Sequence, residues 1–154
     1  MSIDDDIAFL ERVPMLAQLG GSALRILAIG AENFSVREGE TLFAQGQSAD
    51  CAYVVQHGSF AVKFEAANGI ESIAEPGSLL GETALLIETP RHATATARED
   101  SIVLRISRAM FLKMLESHPD AAQQLRTLFA SRTDQLARDF ERVHAMLARG
   151  TGPQ

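Results

Sequence analysis

Gly81, Glu82 and Arg91 are the residues whose types and spacing point most directly to chemistry. They lie in the stretch PGSLLGETALLIETPRHATATA, residues 76–97. A packed core has no use for Arg91, and a surface loop has none for Leu79, Leu80, Leu85 and Leu86, so the stretch suits a small anion bound beside an apolar wall. An arginine fork meets two oxygens of a phosphate at once. The N–H groups at a helix start add further donors. Gly81 permits close approach of the backbone, and Glu82, Thr83 and Ala84 begin a short helical piece whose first amides lack intrahelical partners. Arg91 follows Pro90, which fixes the direction of the returning chain. Phosphate would repel Glu82, but a sugar hydroxyl would donate to it. A cyclic phosphodiester carrying a ribose would use every one of these groups. On spacing alone, a turn glycine, a helix-start acid and a surface Arg91–Glu82 pair explain the same residues equally well.

The elements that must position these groups change character along the chain. Short strands are expected at 33–36, 41–44, 52–57, 59–65, 72–74, 94–97 and 101–107. Turn signals such as REGE, GQSAD, HG, ANG and RED separate them. Many short strands without intervening helices predict an antiparallel jelly-roll barrel or sandwich. The fold class is therefore α+β, mainly β, with N-terminal helices over 1–32, a barrel over 33–107 and helices over 108–149. All of it is read as one domain spanning 1–154.

Asp4 to Asp6 ahead of IAFLERV read as a solvated helix start, favoured by the helix dipole. Pro14 breaks that segment, and GSALRILAIGA forms a second short helix with Ser22 as its cap. Ser107 caps SRAMFLKMLESH, which stops near Pro119. From Pro119 to Arg149 apolar residues recur at steps of three and four, from Leu125 to Leu147. Such a helix would be about 45 Å long and would outrun a small domain. A paired helix in a homodimer, through residues 119–149, is the preferred reading, with an intramolecular fold-back as the alternative.

Composition limits the function classes. The chain has 154 residues, 46% of them apolar and 22% charged, enough for a core. A net charge of -6 opposes nucleic-acid binding, which needs a basic surface. The single cysteine, Cys51, excludes an internal disulfide framework and reads as an inert buried thiol on a strand. No apolar run is long enough to span a bilayer, and the acidic start MSIDDDIAF is wrong for a secretory signal. A cytoplasmic location is expected.

The 76–97 stretch resembles the phosphate-binding cassette of the cyclic-nucleotide-binding domain family. That pattern is an apolar residue, Gly-Glu, a short apolar helix, then Pro-Arg and small residues. Here it is Leu80-Gly81-Glu82, Ala84-Leu85-Leu86, Pro90-Arg91, then Ala93, Thr94 and Ala97. TLFAQGQSADCAYVVQHGSFAV resembles the family's early barrel strands, VPMLAQL its N-terminal lead, and FLKMLESHPD the helix before the dimer helix of the catabolite activator group. The resemblance implies a ligand, cAMP or cGMP, and no other cofactor. It implies that Arg91 binds the cyclic phosphate together with amides near Gly81, Thr83 and Ala84, and that Glu82 accepts from the ribose 2′-hydroxyl. Val62 and Leu80 would line the ribose and base.

Two departures bear on specificity. His92 stands where relatives carry Ala, Ser or Thr; it either donates to the ligand, adding pH sensitivity, or points away. The family's adenine-contacting Thr-Ser pair falls on Leu136-Ala137, which leaves apolar capping and Arg132 to hold the base. No helix-turn-helix follows the dimer helix, so direct DNA binding is not expected. The leading expectation is a non-enzymatic, stand-alone sensor that signals to an unknown protein effector through helix rearrangement. A dimeric scaffold that kept the barrel without ligand is the second class. A cupin-type metalloenzyme is the third and weakest, because His57, His92, His118 and His144 are scattered and form no metal-binding motif; no metal is expected.

Overall fold

The computed structural model describes residues 3–64, 70–125 and 127. Helix α1 (Ile3–Leu10) carries Asp4, Asp5 and Asp6 in its first turn. Asp6 departs from the solvated start expected of it. It is 9% exposed, and its carboxylate accepts from Gln56 Nε2 at 3.3 Å while Gln56 Oε1 accepts from Asn33 Nδ2 at 2.8 Å. A buried acid needs such a partner. Helix α2 (Pro14–Ala17) opens on Pro14, whose missing N–H is no loss at a first turn.

Helix α3 (Gly21–Gly30) corrects a second expectation. Gly20, at φ 91°, is its N-cap, and Ser22 lies inside the first turn. The Ser22 hydroxyl instead meets His118 Nε2 at 3.2 Å. A glycine turn fixes the helix entry and leaves the serine for a tertiary contact.

Among the described residues ten strands follow, in antiparallel pairs. In order they are β1 (Glu32–Val36), β2 (Thr41–Phe43), β3 (Ser48–Ala49), β4 (Cys51–His57), β5 (Phe60–Phe64), β6 (Ile70–Ala74), β7 (Leu79–Leu80), β8 (Thr89–Pro90), β9 (Thr94–Ala97) and β10 (Ser101–Ser107). Between β7 and β8 lies a 3₁₀ helix, Glu82–Leu85. One sheet has the order β1-β10-β4-β7, another β2-β9-β5-β6, and β3 pairs β8 as a separate ribbon. Hydrogen bonding thus makes two antiparallel sheets and a ribbon, the jelly-roll-like arrangement expected from the sequence.

β4 shows why the fold is stable. Ala52 and Val54 point to one face and pack with Leu10, Leu24, Leu27 and Phe111 of the helices. Val55 points to the other and packs with Phe43, Phe60 and Val62 of the second sheet. A strand covered on both faces reads as a nearly continuous apolar run. Leu85 of the 3₁₀ helix is fully buried in the helix-side cluster, a burial worth about 1.5–3 kcal/mol.

Helix α4 (Arg108–Ser117) is capped as expected, Ser107 Oγ accepting from Met110 N at 3.2 Å. A further helix is described over 119–125. The expected dimer helix beyond it, with Arg132 and the Leu136-Ala137 pair, lies outside the described residues.

Candidate functional site

The site is assembled by strand pairing. β7 runs beside β4 with Leu80 opposite Tyr53, which delivers Gly81 to the edge of the sheet. Gly81 takes a left-handed conformation, φ 76°, and starts the 3₁₀ helix. The Ala84 amide already donates to Gly81 O at 3.1 Å. That corrects the expectation that the amides of this turn are all unpaired; those of Glu82 and Thr83 precede this first bond of the turn.

Arg91 arrives from the opposite direction. β8 is held to β3 by the pair Ser48–Pro90. Arg91 N donates to Gln47 O at 2.7 Å and Gly46 N to Arg91 O at 2.9 Å. With its backbone pinned on both sides, the side chain turns inward and is 7% exposed, so Arg91 is not a surface residue.

Its guanidinium carbon lies 4.4 Å from the Phe43 ring centroid and 5.6 Å from that of Tyr53. The two rings are themselves stacked at 6.0 Å with 18° between their planes. Nη2 donates to Cys51 Sγ at 3.3 Å. Nη1 is buried without a hydrogen-bond partner, the one such side-chain atom among the described residues. It lies so close to Gly81 that any Cβ there would collide with it. A charged donor withdrawn from water without an acceptor is unfavourable, so this atom calls for an anion.

A cavity of about 290 Å³ opens at this point, close to the lower end of the size range of small-molecule sites. Its wall contains Val62, Leu80, Gly81, Glu82, Thr83, Ala84, Arg91 and His92. Every expected site residue within the described part is thereby brought to one cavity, including two drawn from different sheets. His92 is exposed, and its Nε2 lies 3.3 Å from Thr89 Oγ1. A larger groove of about 400 Å³ is lined by Leu86, Leu112, Leu115, Glu116, Ala122 and Leu125. It offers a carboxylate and no cation, which disqualifies it as an anion site.

Sequence reasoning missed the residues that hold Arg91. Tyr53 follows Cys51 by two and so shares its face of β4, a signal that was available. Nothing in the sequence places Phe43 beside them. Phe64, two residues after Val62 on β5, also lines the cavity and was legible from strand alternation. Burial, with a smaller contribution from nearby Cys51, pushes the Tyr53 phenol up to about 12.

Below the cavity, Arg108 Nη1 donates to Ile87 O at 2.8 Å, Ala49 O at 3.2 Å and Ala84 O at 3.4 Å. The start of α4 is thereby tied to β3, to the C-terminal side of the short helix that borders the cavity and to the loop that follows it. Among the described residues no group of three or more His, Cys, Asp or Glu could hold a metal, and no helix is long and apolar enough to cross a membrane.

An inward arginine beside a left-handed Gly81, on a frame of two antiparallel sheets, makes a cavity suited to a small anion. The chain belongs to the cyclic nucleotide-binding domain family, whose sequence profile matches residues 33–118. It is 31% identical over 107 residues to a cAMP-dependent protein kinase regulatory subunit of Yarrowia lipolytica, covering 70% of this chain and 28% of that protein. Among solved structures it is similar to a cyclic nucleotide-binding-like protein of Brucella abortus, with 41% identity and a TM-score of 0.65, over 73% of this chain and 99% of that one. It is also similar to the catabolite activator protein of Thermus thermophilus, with 26% identity and a TM-score of 0.72, over 88% of this chain and 65% of that one. The chain spans about a quarter of the length of the first curated relatives it matches, 28% and 26%.

Proposed function

We propose that this chain is a non-enzymatic module that binds cAMP or cGMP and passes the binding event to a protein effector through its helices. The observation that carries the reading is Arg91 Nη1, buried and without an acceptor against Gly81. An exocyclic oxygen of a cyclic phosphate would supply that acceptor, and the amides of the adjoining turn would share the charge. Glu82, on the cavity wall, would accept from the ribose 2′-hydroxyl. Val62, Leu80 and Phe64 would cover the base. An apolar base site discriminates between purines less sharply than a hydrogen-bonded one, so both nucleotides are candidate ligands.

Two features support transmission to the helices. Leu85, on the 3₁₀ helix, is buried among residues of α1, α3 and α4, and Arg108 ties that same helix to the start of α4. A shift of the turn on binding would be felt at α4, and ligand affinity would differ between the two helix arrangements, as coupling requires. Pairing of two copies through residues 119–149 remains part of the proposal.

The test is calorimetric titration of the protein and of Arg91→Ala with cAMP and cGMP. The unaltered protein should bind at least one of them. Arg91→Ala should keep the fold and lose about 2–5 kcal/mol of affinity, the scale for removing one partner of a buried charge pair. Absence of heat with either nucleotide would favour a ligand-free scaffold, and undiminished binding by Arg91→Ala would place the phosphate elsewhere.

A further inference from the structure

The Arg91 guanidinium lies against the rings of Phe43 and Tyr53, 4.4 and 5.6 Å from their centroids, an attraction that does not by itself aim the two terminal nitrogens. Aiming them takes a hydrogen bond. The contact that does so is Nη2 to Cys51 Sγ, at 3.3 Å. With Nη2 so anchored, Nη1 is the nitrogen that lies against Gly81.

The choice of sulfur has a physical consequence. A carboxylate at position 51 would orient Arg91 equally well, but would also neutralise it and compete with an incoming anion. A thiol is a weak acceptor without full charge, so it aims the guanidinium and leaves its charge for the ligand. Cys51 is itself well placed to serve as a fixed reference. It is 2% exposed and is set opposite Ser107 in the β4–β10 pairing.

We propose that Cys51 is the positioning residue of the anion site, its sulfur holding Arg91 Nη2 so that Nη1 is presented to one oxygen of a bound phosphate. This rests on the reading of Arg91 as the phosphate ligand. The sulfur touches no ligand; it acts through the arginine.

The test uses the full chain and two cyclic nucleotides that differ in which exocyclic phosphate oxygen is replaced by sulfur. The unaltered protein should tell these diastereomers apart, because one fixed nitrogen meets one fixed oxygen. Cys51→Ala should bind the parent nucleotide roughly 3- to 10-fold more weakly, the scale of one net hydrogen bond, and should bring its affinities for the two diastereomers closer together. Cys51→Ser, whose hydroxyl also accepts from an N–H, should restore the discrimination. Three results would overturn the proposal: equal affinities in the unaltered protein, unchanged affinity and discrimination in Cys51→Ala, or an equal loss for both diastereomers that serine does not repair. If Cys51→Ala does not fold, the serine variant decides alone, and loss of discrimination there counts against the proposal. Arg91→Ala run in parallel separates the two readings, since full binding without Arg91 removes the premise whatever Cys51 does.

Discussion

Replacing Gly81 by alanine puts two effects in one place, and they can be told apart. The first is conformational. Gly81 sits at φ 76°, where an L-residue with a Cβ is disfavoured by roughly 1–2 kcal/mol. In a domain of this size each kcal/mol lowers Tm by about 2–4 °C, so Gly81→Ala should melt roughly 2–8 °C lower. The second effect is steric. The new Cβ would fall on Arg91 Nη1, the far end of a flexible side chain, so the guanidinium moves and the backbone stays. Little further stability is lost, but the donor leaves the mouth of the turn. A hydrogen bond to a charged group is worth about 1.5–3 kcal/mol, so cyclic-nucleotide affinity should fall roughly 10- to 150-fold. Gly81→Asn separates the two, because asparagine tolerates the left-handed region yet carries the same Cβ. It should melt closer to the unaltered protein and still bind as weakly as Gly81→Ala. Melting curves and calorimetry on the three proteins suffice. Wild-type affinity in both variants would refute the account of Arg91 and Gly81 given above.

Two other expectations follow from the same region. Tyr53 is the only tyrosine and the chain has no tryptophan, so phenolate absorbance reports it directly; its midpoint should lie near 12 in the folded protein and near 10 in denaturant. Because the folded value is raised, the protonated phenol is favoured by folding. That contribution is complete below the unfolded value and is lost as pH rises through the folded one, and a folded midpoint near 10 would contradict it. Arg108→Met should lower stability by about 1–3 kcal/mol, because the carbonyls of Ala49, Ala84 and Ile87 lose a charged donor. It should also loosen the link between the cavity and α4. An unchanged melt would show that water replaces the arginine without loss.

Much of the fold was legible because its signals are local. Strand alternation and turn residues placed β1, β9 and β10 to within a residue, and Ser107 read correctly as a helix cap. The two-residue strands β3, β7 and β8 were not legible, since each exists only by pairing with a segment far away in sequence. Ser22 and Asp6 were misread for a related reason. Their polar groups satisfy residues of other elements, His118 and Gln56, and no local pattern reveals such a partner.

The sequence by itself determined which groups could meet an anion: Gly81 for its freedom at positive φ, Glu82 for its acceptors and Arg91 for its fork, all within eleven consecutive residues. Tertiary structure alone decided that Arg91 turns inward against Phe43 and Tyr53, that Cys51 holds one nitrogen and that the other is left without an acceptor. The physical reason is that residue types carry chemistry, whereas burial and orientation come from strands paired across long separations. A charge becomes a site only when its surroundings withhold both water and a competing partner.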